Sequence, residues 1–469
     1  MSNNDSILID DLLKQIDQKK KPYIAPEDIE RYSCALTDDG RHADAFKMMN
    51  YGLECYPDNP KILILKVMIL VNNQLFDEAY STIKMLKSRG IDNAAMEVGI
   101  GWYYLRQERV GEALKAFNSA LKKCSSTGER SIMLYNIAFN LNGGGFFNEA
   151  IPYWEEYKKY VVEDNPDLSN LAYAYSQIGK NDKAISLYIK ILRRHSSNWQ
   201  IWYGLSMAYL SNGNEEKALE ACNKVLSINP FASRVYYNMG VIYFRNYEHQ
   251  KTIDSMTEYI SLTADVEPDT YVSLGASWYE LKNYEEATKN LKKACELMPD
   301  SATPYYYLGM TQLDDGDAEG ALESYKKAAE LDPVEPTYLF SVAEVYDSMG
   351  KSKKTAEYLN RGLALAPNEI HAWCELYRIE ALEQGPFFEH DDFLKKQRKK
   401  HGDVTALKML EAYFDWTFLN RKDEALGLID EIYYESYDVL SDAMQNDMLS
   451  EMFKKKEIKQ LLAKKGIKV

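Results

Sequence analysis

The chain of 469 residues is longer than one hydrophobic core usually serves, so its length predicts several domains or an array of repeating units. Hydrophobic residues make up 46% and charged residues 27%, a balance that favours a folded chain and excludes extensive disorder. The formal charge of -15 disfavours polyanionic partners, nucleic acid and acidic membrane surfaces among them.

Residues 1–25 are predicted to form an amino-terminal capping helix, because the end of a stacked array has one face without a neighbour. The first eleven residues contain three acidic side chains and no unbroken apolar core, unlike a secretory signal, so a cytoplasmic location is expected. The longest apolar run, residues 62–71, contains Lys66 and has about half the length of a bilayer-spanning helix. No membrane insertion is therefore expected.

Two neighbouring segments, YVSLGASWYELKNYEEATKNLKKACELMP and YYYLGMTQLDDGDAEGALESYKKAAELDP, follow one pattern. Leu274 aligns with Leu308 and Pro299 aligns with Pro333, and the two pairs have the same spacing. The same step finds a small anchor residue, alanine or threonine, in ten units: Ala45, Ala79, Ala113, Ala150, Ala184, Ala218, Thr252, Ala287, Ala321 and Thr355. The step changes only between 113 and 150 and between 252 and 287.

Each unit contains two blocks in which apolar residues recur at intervals of three and four, which is the period of a helix. Polar turns with glycine separate the blocks, and glycine permits the left-handed backbone that ends a helix. These turns are DDG at 38–40, NGGG at 142–145, QIGK at 177–180, SNGN at 211–214, DDGD at 314–317 and SMGK at 348–351. Proline at the end of several units stops the second helix. One unit is thus predicted to be a helix, a turn and a second helix.

This pattern resembles the tetratricopeptide repeat, a helix-turn-helix of about 34 residues with a fixed signature. In the unit that begins at Trp199 the signature residues are Trp202, Leu205, Tyr209, Gly213, Ala218 and Pro230, and Cys222 stands where the family prefers a large aromatic residue. About ten units are predicted over residues 26–368, starting near 26, 60, 94, 131, 165, 199, 233, 268, 302 and 336. The resemblance implies an all-α, right-handed superhelical solenoid with helical caps.

Beyond residue 368 the repeat pattern degenerates. Residues 371–384 match another first helix, and GPFFEHDDFLKKQRKKHG then interrupts the spacing, so residues 369–436 are predicted to be degenerate helical repeats with an insertion. Residues 437–469 are predicted to form a basic capping helix. The lysine and arginine runs at 395–400 and 454–468 are interpreted as solvated faces, with an acidic partner or RNA as the alternative.

The resemblance also implies a binding surface, because the first helices of the family line a concave groove. Here the fifth and ninth positions of these helices are rich in aromatic residues and methionine, which protein interfaces favour. The predicted groove residues are Trp102, Tyr135, Phe139, Tyr173, Tyr203, Met207, Tyr237, Tyr306, Met310 and Phe340. Packing between neighbouring first helices is the alternative role of these side chains.

The groove contains few cations, and they do not follow the pattern with which some family members grip the carboxyl terminus of a chaperone. They are Lys61, Arg106, Arg234 and Arg245. The expected partner is therefore another protein or peptide with apolar or aromatic anchors.

No arrangement of residues predicts catalysis, a cofactor or a metal. The six histidines are scattered, and no H-E-x-x-H or G-x-S-x-G motif accompanies them. His390, Asp391 and Asp392 are interpreted as a solvated loop. The six cysteines lie far apart without a C-x-x-C pair and are expected to be reduced packing residues: Cys34, Cys55, Cys124, Cys222, Cys295 and Cys374.

The sequence therefore favours a non-enzymatic scaffold or adaptor that holds a segment of another protein in its groove. A regulator that senses a short peptide in the same groove is one alternative. A helical-repeat protein that associates with RNA is another.

Overall fold

The computed structural model describes residues 3–467, and its regular structure is entirely helical over that range. Residues 1, 2, 468 and 469, which belong to the two predicted caps, lie outside the described residues. The described chain forms 28 α-helices and two short 3-10 helices. The predicted fold class, an all-α array of helix-turn-helix repeats, is confirmed. The chain divides into an amino-terminal body, Met1–Pro230, and a carboxy-terminal body, Phe231–Val469.

The amino-terminal body contains one leading helix and six helical hairpins. Its helices are α1 Asn3–Asp17, α2 Pro26–Asp38, α3 His42–Cys55, α4 Pro60–Asn72, α5 Phe76–Ser88, α6 Ala94–Leu105, α7 Val110–Lys123, α8 Thr127–Gly143, α9 Phe147–Tyr157, α10 Ser169–Gln177, α11 Asn181–Leu192, α12 Trp199–Ser211 and α13 Glu215–Ile228. A 3-10 helix, Pro166–Leu168, precedes α10. From α2 onward each even-numbered helix is the first helix of a repeat and packs against the second helix that follows it.

The carboxy-terminal body contains four more hairpins, from α14 to α21, and seven further helices. Its helices are α14 Ser233–Arg245, α15 His249–Leu262, α16 Asp269–Glu280, α17 Tyr284–Leu297, α18 Ala302–Asp314, α19 Ala318–Leu331, α20 Pro336–Ser348, α21 Ser352–Leu365, α22 Ile370–Gln384, α23 His390–His401, α24 Thr405–Thr417, α25 Lys422–Glu435, α26 Tyr437–Gln445, α27 Ser450–Phe453 and α28 Lys456–Lys464. The second 3-10 helix is Gly385–Phe387.

The turn between the two helices of each repeat has the same left-handed backbone throughout the array. In all ten repeats one turn residue has φ between 58° and 90°. These residues are Gly40, Gln74, Glu108, Gly145, Gly179, Gly213, Tyr247, Lys282, Gly316 and Gly350. The six glycines are those of the predicted turns, and glycine adopts this conformation without the steric cost that a Cβ brings. Where the sequence has no glycine, the fold imposes the conformation on an ordinary residue.

The predicted anchor residues all lie on second helices, and all ten are buried. The eight alanines leave room for the first helix to approach, as small side chains do at close helix contacts. The two threonines need a partner for their hydroxyl groups. Thr252 donates to the backbone oxygen of Glu248 at 3.2 Å, and Thr355 donates to that of Lys351 at 3.3 Å. Threonine can therefore replace alanine without a buried unpaired donor.

Two expectations about individual segments are corrected. The fourth repeat begins with α8 at Thr127 and not near 131, because Ser126 caps the helix by accepting a hydrogen bond from the Glu129 amide at 3.1 Å. All six cysteines are free, as expected, but Cys55 is exposed at the end of α3 and is not a packing residue.

The segment after α22 is not a solvated loop but a packed helix. His390 begins α23, and its ring stacks on Phe418 at 4.5 Å and on Phe414 at 4.9 Å between ring centroids. Burial lowers the pKa of His390. A single hydrophobic cluster extends from Ala343 on α20 to Leu462 on α28. The degenerate sequence thus still forms a continuous core.

The basic run at 395–400 is largely neutralised within the body. Lys396 contacts the buried carboxylate of Glu380 at 2.7 Å, and Arg398 contacts Glu411 at 2.6 Å. Lys395 lies 3.5 Å from Asp392. This part of the chain therefore offers less free positive charge than its composition indicates.

Close approach of helices at Gly275 predicts a destabilising substitution. A methyl group on Gly275 would lie 2.4 Å from Cγ of Leu291, which is itself fully buried. We expect Gly275→Ala to lower the free energy of unfolding by about 1–3 kcal/mol, as overpacking does. Gly427→Ala is the control, because no heavy atom lies within 4 Å of that Cβ position on α25. Urea unfolding followed by circular dichroism should show the control slightly stabilised by about 0.5–1 kcal/mol; equal behaviour of the two variants would contradict the packing argument.

Candidate functional site

Three predicted groove residues form an exposed stripe on consecutive first helices. Phe139 on α8, Tyr173 on α10 and Met207 on α12 are 46%, 45% and 36% exposed. They occupy the same position in three successive repeats. Helix α8 packs against α10, and α10 packs against α12, so the three side chains follow one another across the first-helix face. We call these three residues the exposed stripe.

The stripe lies on a face that carries almost no charge. Helices α10 and α12 contain no aspartate, glutamate, lysine or arginine, and α8 has charged residues only in its first turn. The chain as a whole is 27% charged, so this neutrality is local. The side-chain amide of Asn142 donates to the backbone oxygen of Asn170 at 2.8 Å and joins α8 to α10 beside the stripe. The face can therefore bind apolar and neutral polar groups without desolvating a charge.

Tyr135 packs against the exposed stripe. Its ring stacks on Phe139 with centroids 5.7 Å apart and planes 10° apart, and it meets the buried ring of Trp154 edge to face at 5.5 Å. Burial raises the pKa of Tyr135. Tyr135 thus both packs and positions an exposed neighbour. The half-buried Tyr203 lies one turn before Met207 on α12.

Trp102 borders a cavity of about 420 Å³ on α4, α6 and α8. Its ring lies 4.9 Å from that of the buried Phe117, so part of the indole belongs to the core. Met68, Arg106 and Asn140 are among the other residues that line the cavity. Trp102 therefore packs against the core, and its part in partner binding stays a prediction.

In the carboxy-terminal body the predicted groove residues are more deeply packed. Tyr237 is half-buried on α14, its ring 5.2 Å from that of Tyr259. Tyr306 on α18 contacts the rings of Tyr325 at 5.7 Å and Tyr338 at 5.3 Å. Burial raises the pKa of both Tyr237 and Tyr306. These tyrosines hold neighbouring helices together.

The last two predicted residues of this body also pack against the core. Met310 lies against the cluster that contains Tyr325 and Val345. Phe340 covers Gly362, where an added methyl group would lie 2.3 Å from the ring. The predicted set thus divides into three exposed members and seven that are at least half buried.

Lys61 and Arg234, two cations near the predicted groove, form ion pairs with other segments of the chain. Lys61 contacts Glu27 at 2.9 Å, and Arg234 contacts Glu267 at 2.7 Å. Water screens the attraction within exposed pairs of this kind, so they stabilise the fold little.

Sequence reasoning missed three side chains beside the predicted sites. Ile132 is highly exposed on α8, two turns before Phe139, and Phe147 meets the ring of Tyr173 edge to face at 5.6 Å. Glu344 occupies the position in its repeat that Met310 occupies in the repeat before it. The repeat period could have found Glu344, whereas the role of Phe147 depends on a contact between helices.

Two features are absent from the described residues. No group of three histidine, cysteine, aspartate or glutamate side chains among residues 3–467 is arranged to hold a metal ion. No helix in the part of the chain that the structure describes is long and apolar enough to cross a membrane.

A family model matches half of the chain. Residues 168–402 match the tetratricopeptide-repeat model described as the cilia and flagella-associated protein 70 C-terminal domain. The match includes α10 to α23 and so contains repeats from both bodies.

Shorter similarities connect the chain to characterised proteins. It is 32% identical over 100 residues to the BBSome complex member BBS4 of Bos taurus, a match that covers 21% of this chain and 19% of that protein. It is 31% identical over 113 residues to the photosystem I assembly protein Ycf3 of Rippkaea orientalis, covering 20% of this chain and 65% of that protein. The chain thus spans less than two thirds of the length of either relative.

Among solved structures, the carboxy-terminal part of a tetratricopeptide-repeat protein from Cytophaga hutchinsonii is similar. The two are 19% identical, with a TM-score of 0.44, and the match covers 52% of this chain and 99% of that one.

Proposed function

Because the chain belongs to the tetratricopeptide-repeat family of the cilia and flagella-associated protein 70 C-terminal domain, we propose that it is a non-enzymatic adaptor that binds a segment of another protein along its first-helix face. Arrays of such repeats generally mediate protein–protein interactions, because stacked hairpins create an extended surface. BBS4 and Ycf3 are named as a member of a complex and as an assembly protein, and both names concern protein assemblies.

The exposed stripe is the observation that carries this proposal. Phe139, Tyr173 and Met207 leave large apolar surfaces in water on three successive helices, although nothing in the internal packing of the repeats requires that exposure. Burial of such a side chain contributes about 1.5–3 kcal/mol. Aromatic residues and methionine are also the residue types that adapt best to a protein partner.

The partner that fits this face is a protein segment with apolar or aromatic anchors. Neutral helices α10 and α12 offer such a segment no ion pair, so its contacts with the stripe would be hydrophobic and its backbone would meet neutral groups. RNA fits this face less well, because the stripe lacks the lysine and arginine side chains that neutralise phosphates. A cytoplasmic location remains part of the proposal.

Site-specific photo-cross-linking tests the proposal. A benzophenone amino acid placed at Phe139, Tyr173 or Met207 in separate variants should cross-link one and the same protein in cells. Mass spectrometry should locate the three cross-links in neighbouring positions of one segment of that protein. Ile189 on the second helix α11 is the control position, since its side chain is similarly exposed. Cross-linking of the same protein with equal yield from Ile189, or of none from the stripe, would contradict the proposed surface.

A further inference from the structure

The carboxy-terminal body contains a cavity with an apolar floor and an acidic rim. It has a volume of about 380 Å³ and lies among α20, α21 and α22. The side chains of its floor are those of Phe340, Ala343, Leu359 and Ala372. The side chains of its rim include the carboxylates of Glu344, Asp347, Glu369 and Glu375. We call it the acidic cavity.

Two of the four carboxylates share one guanidinium within the protein. Nη2 of Arg378 lies 2.9 Å from Oδ1 of Asp347, and Nε of the same guanidinium lies 3.0 Å from Oε1 of Glu375. A guanidinium that binds two carboxylates in this way has its charge already compensated. Arg378 is therefore not a counter-charge for the rest of the rim.

No lysine or arginine among residues 3–467 forms an ion pair with either of the other two carboxylates. The side chains of Glu344 and Glu369 form no hydrogen bond or ion pair with any other side chain in the range that the structure describes. His371 also lines the cavity, and its Nδ1 lies 2.9 Å from the side-chain amide of Asn446. The rim thus has an unbalanced negative charge.

The surroundings of Glu344 disfavour its negative charge. Its side chain is exposed, but partial desolvation at the cavity raises its pKa, and the negative charge of Asp314 on α18 raises it further. An opposite charge brought close to such a carboxylate gains more than it would beside a fully hydrated one. The cavity is therefore complementary to a cation, and its floor is complementary to apolar groups.

We propose that the acidic cavity binds a lysine or arginine side chain of the protein segment that the chain carries, with the methylene stem on the floor and the charged head between Glu344 and Glu369. This inference rests on the proposed function, because it assigns chemistry to part of the bound segment. Lysine and arginine are the side chains that bury an apolar stem and keep a charge at its end. Phe340 adds an aromatic ring, to which cations are attracted.

A peptide selection tests the occupant of the acidic cavity. The full chain, immobilised, is used to select binders from a random-peptide phage library. We expect the selected peptides to share a lysine or arginine next to apolar residues. Replacing that residue by glutamine in a synthetic copy should weaken binding by about 5-fold or more, because Glu344 is exposed and Glu369 half-buried, and water screens part of their attraction for the cation.

Variants of the protein test the same interaction by changing the carboxylates instead of the peptide. Glu344→Gln combined with Glu369→Gln should weaken binding of the selected peptide to a similar degree and remove the preference for lysine and arginine from a new selection. The control is Glu285→Gln combined with Glu319→Gln, which changes the net charge equally at exposed carboxylates outside the cavity. This control should bind as the unaltered chain does, and circular dichroism should show equal helix content in all three proteins.

The possible results separate this inference from the proposed function. Selected peptides that lack lysine and arginine, or that bind both double variants equally, would overturn the cation site and leave the adaptor function standing. A chain that selects no peptide would contradict the adaptor function itself.

Discussion

Replacing Trp373 by alanine is expected to lower the free energy of unfolding of the carboxy-terminal body by about 3–5 kcal/mol. The indole is 0% exposed and lies in the cluster that joins α20 to α28. Its Nε1 donates to the backbone oxygen of Pro367 at 2.8 Å, and the ring meets His401 edge to face at 5.1 Å. Its removal would leave a cavity and an unpaired carbonyl group together.

Trp202→Ala is the matched control for Trp373→Ala. Its Nε1 also donates to a backbone oxygen six residues earlier, that of Ser196, again at 2.8 Å. Trp202 is only half-buried, so the two variants lose the same hydrogen bond and differ in burial. We expect Trp202→Ala to cost about 1–2 kcal/mol.

Urea unfolding followed by circular dichroism measures both tryptophan variants. Hydrogen exchange should accompany it, because repeat arrays need not unfold in one step. Backbone amide hydrogens of the Trp373→Ala variant should exchange faster than those of the unaltered chain throughout α22 to α28. Equal losses of stability in the two variants would show that α22 to α28 do not share a cooperative core.

The repeat architecture could be predicted because its signals are local. Glycine at the turns and alanine on the second helices each report a constraint within one hairpin, and both recur with a fixed period. Tyr247 and Lys282 show the limit of this reasoning, since their left-handed backbone depends on the fold around them and not on their side chains.

The exposure of the groove residues could not be predicted in the same way. Phe139 and Tyr135 lie one helical turn apart on α8, yet only Phe139 is exposed, because Trp154 and Tyr157 of α9 enclose the Tyr135 ring. Such differences depend on the size of side chains in another helix. The repeat period identifies which face a residue occupies, but not how much of that face its neighbours cover.

The structure of the carboxy-terminal segment was difficult to predict from the sequence for a related reason. Charged residues between 389 and 403 indicated a solvated insertion, whereas Lys396 and Gln397 both bind the buried carboxylate of Glu380. A charge run reveals its partners only when the fold brings a distant carboxylate to it. The aromatic residues around His390 belong to different helices and give no local pattern.

The combined variant Phe139→Ala, Tyr173→Ala and Met207→Ala is expected to weaken binding of the cross-linked partner by at least about 100-fold. Each truncated anchor removes about 1–2 kcal/mol at an interface, and three anchors on one face act on the same segment. Because all three side chains are already exposed, the free energy of unfolding should change by less than about 1 kcal/mol. Isothermal titration of the purified chain with the cross-linked segment measures the first quantity, and urea unfolding measures the second.

A second triple variant distinguishes the stripe from exposed apolar surface in general. Tyr80→Ala, Tyr160→Ala and Ile189→Ala removes three comparably exposed side chains of the amino-terminal body that do not lie on first helices. It should bind the segment as the unaltered chain does. Tyr237 is a less informative position, because its ring packs against Tyr259 and its loss would disturb α14 and α15. Equal weakening in both triple variants would mean that binding follows total apolar surface, and undiminished binding in the first would place the partner elsewhere on the chain.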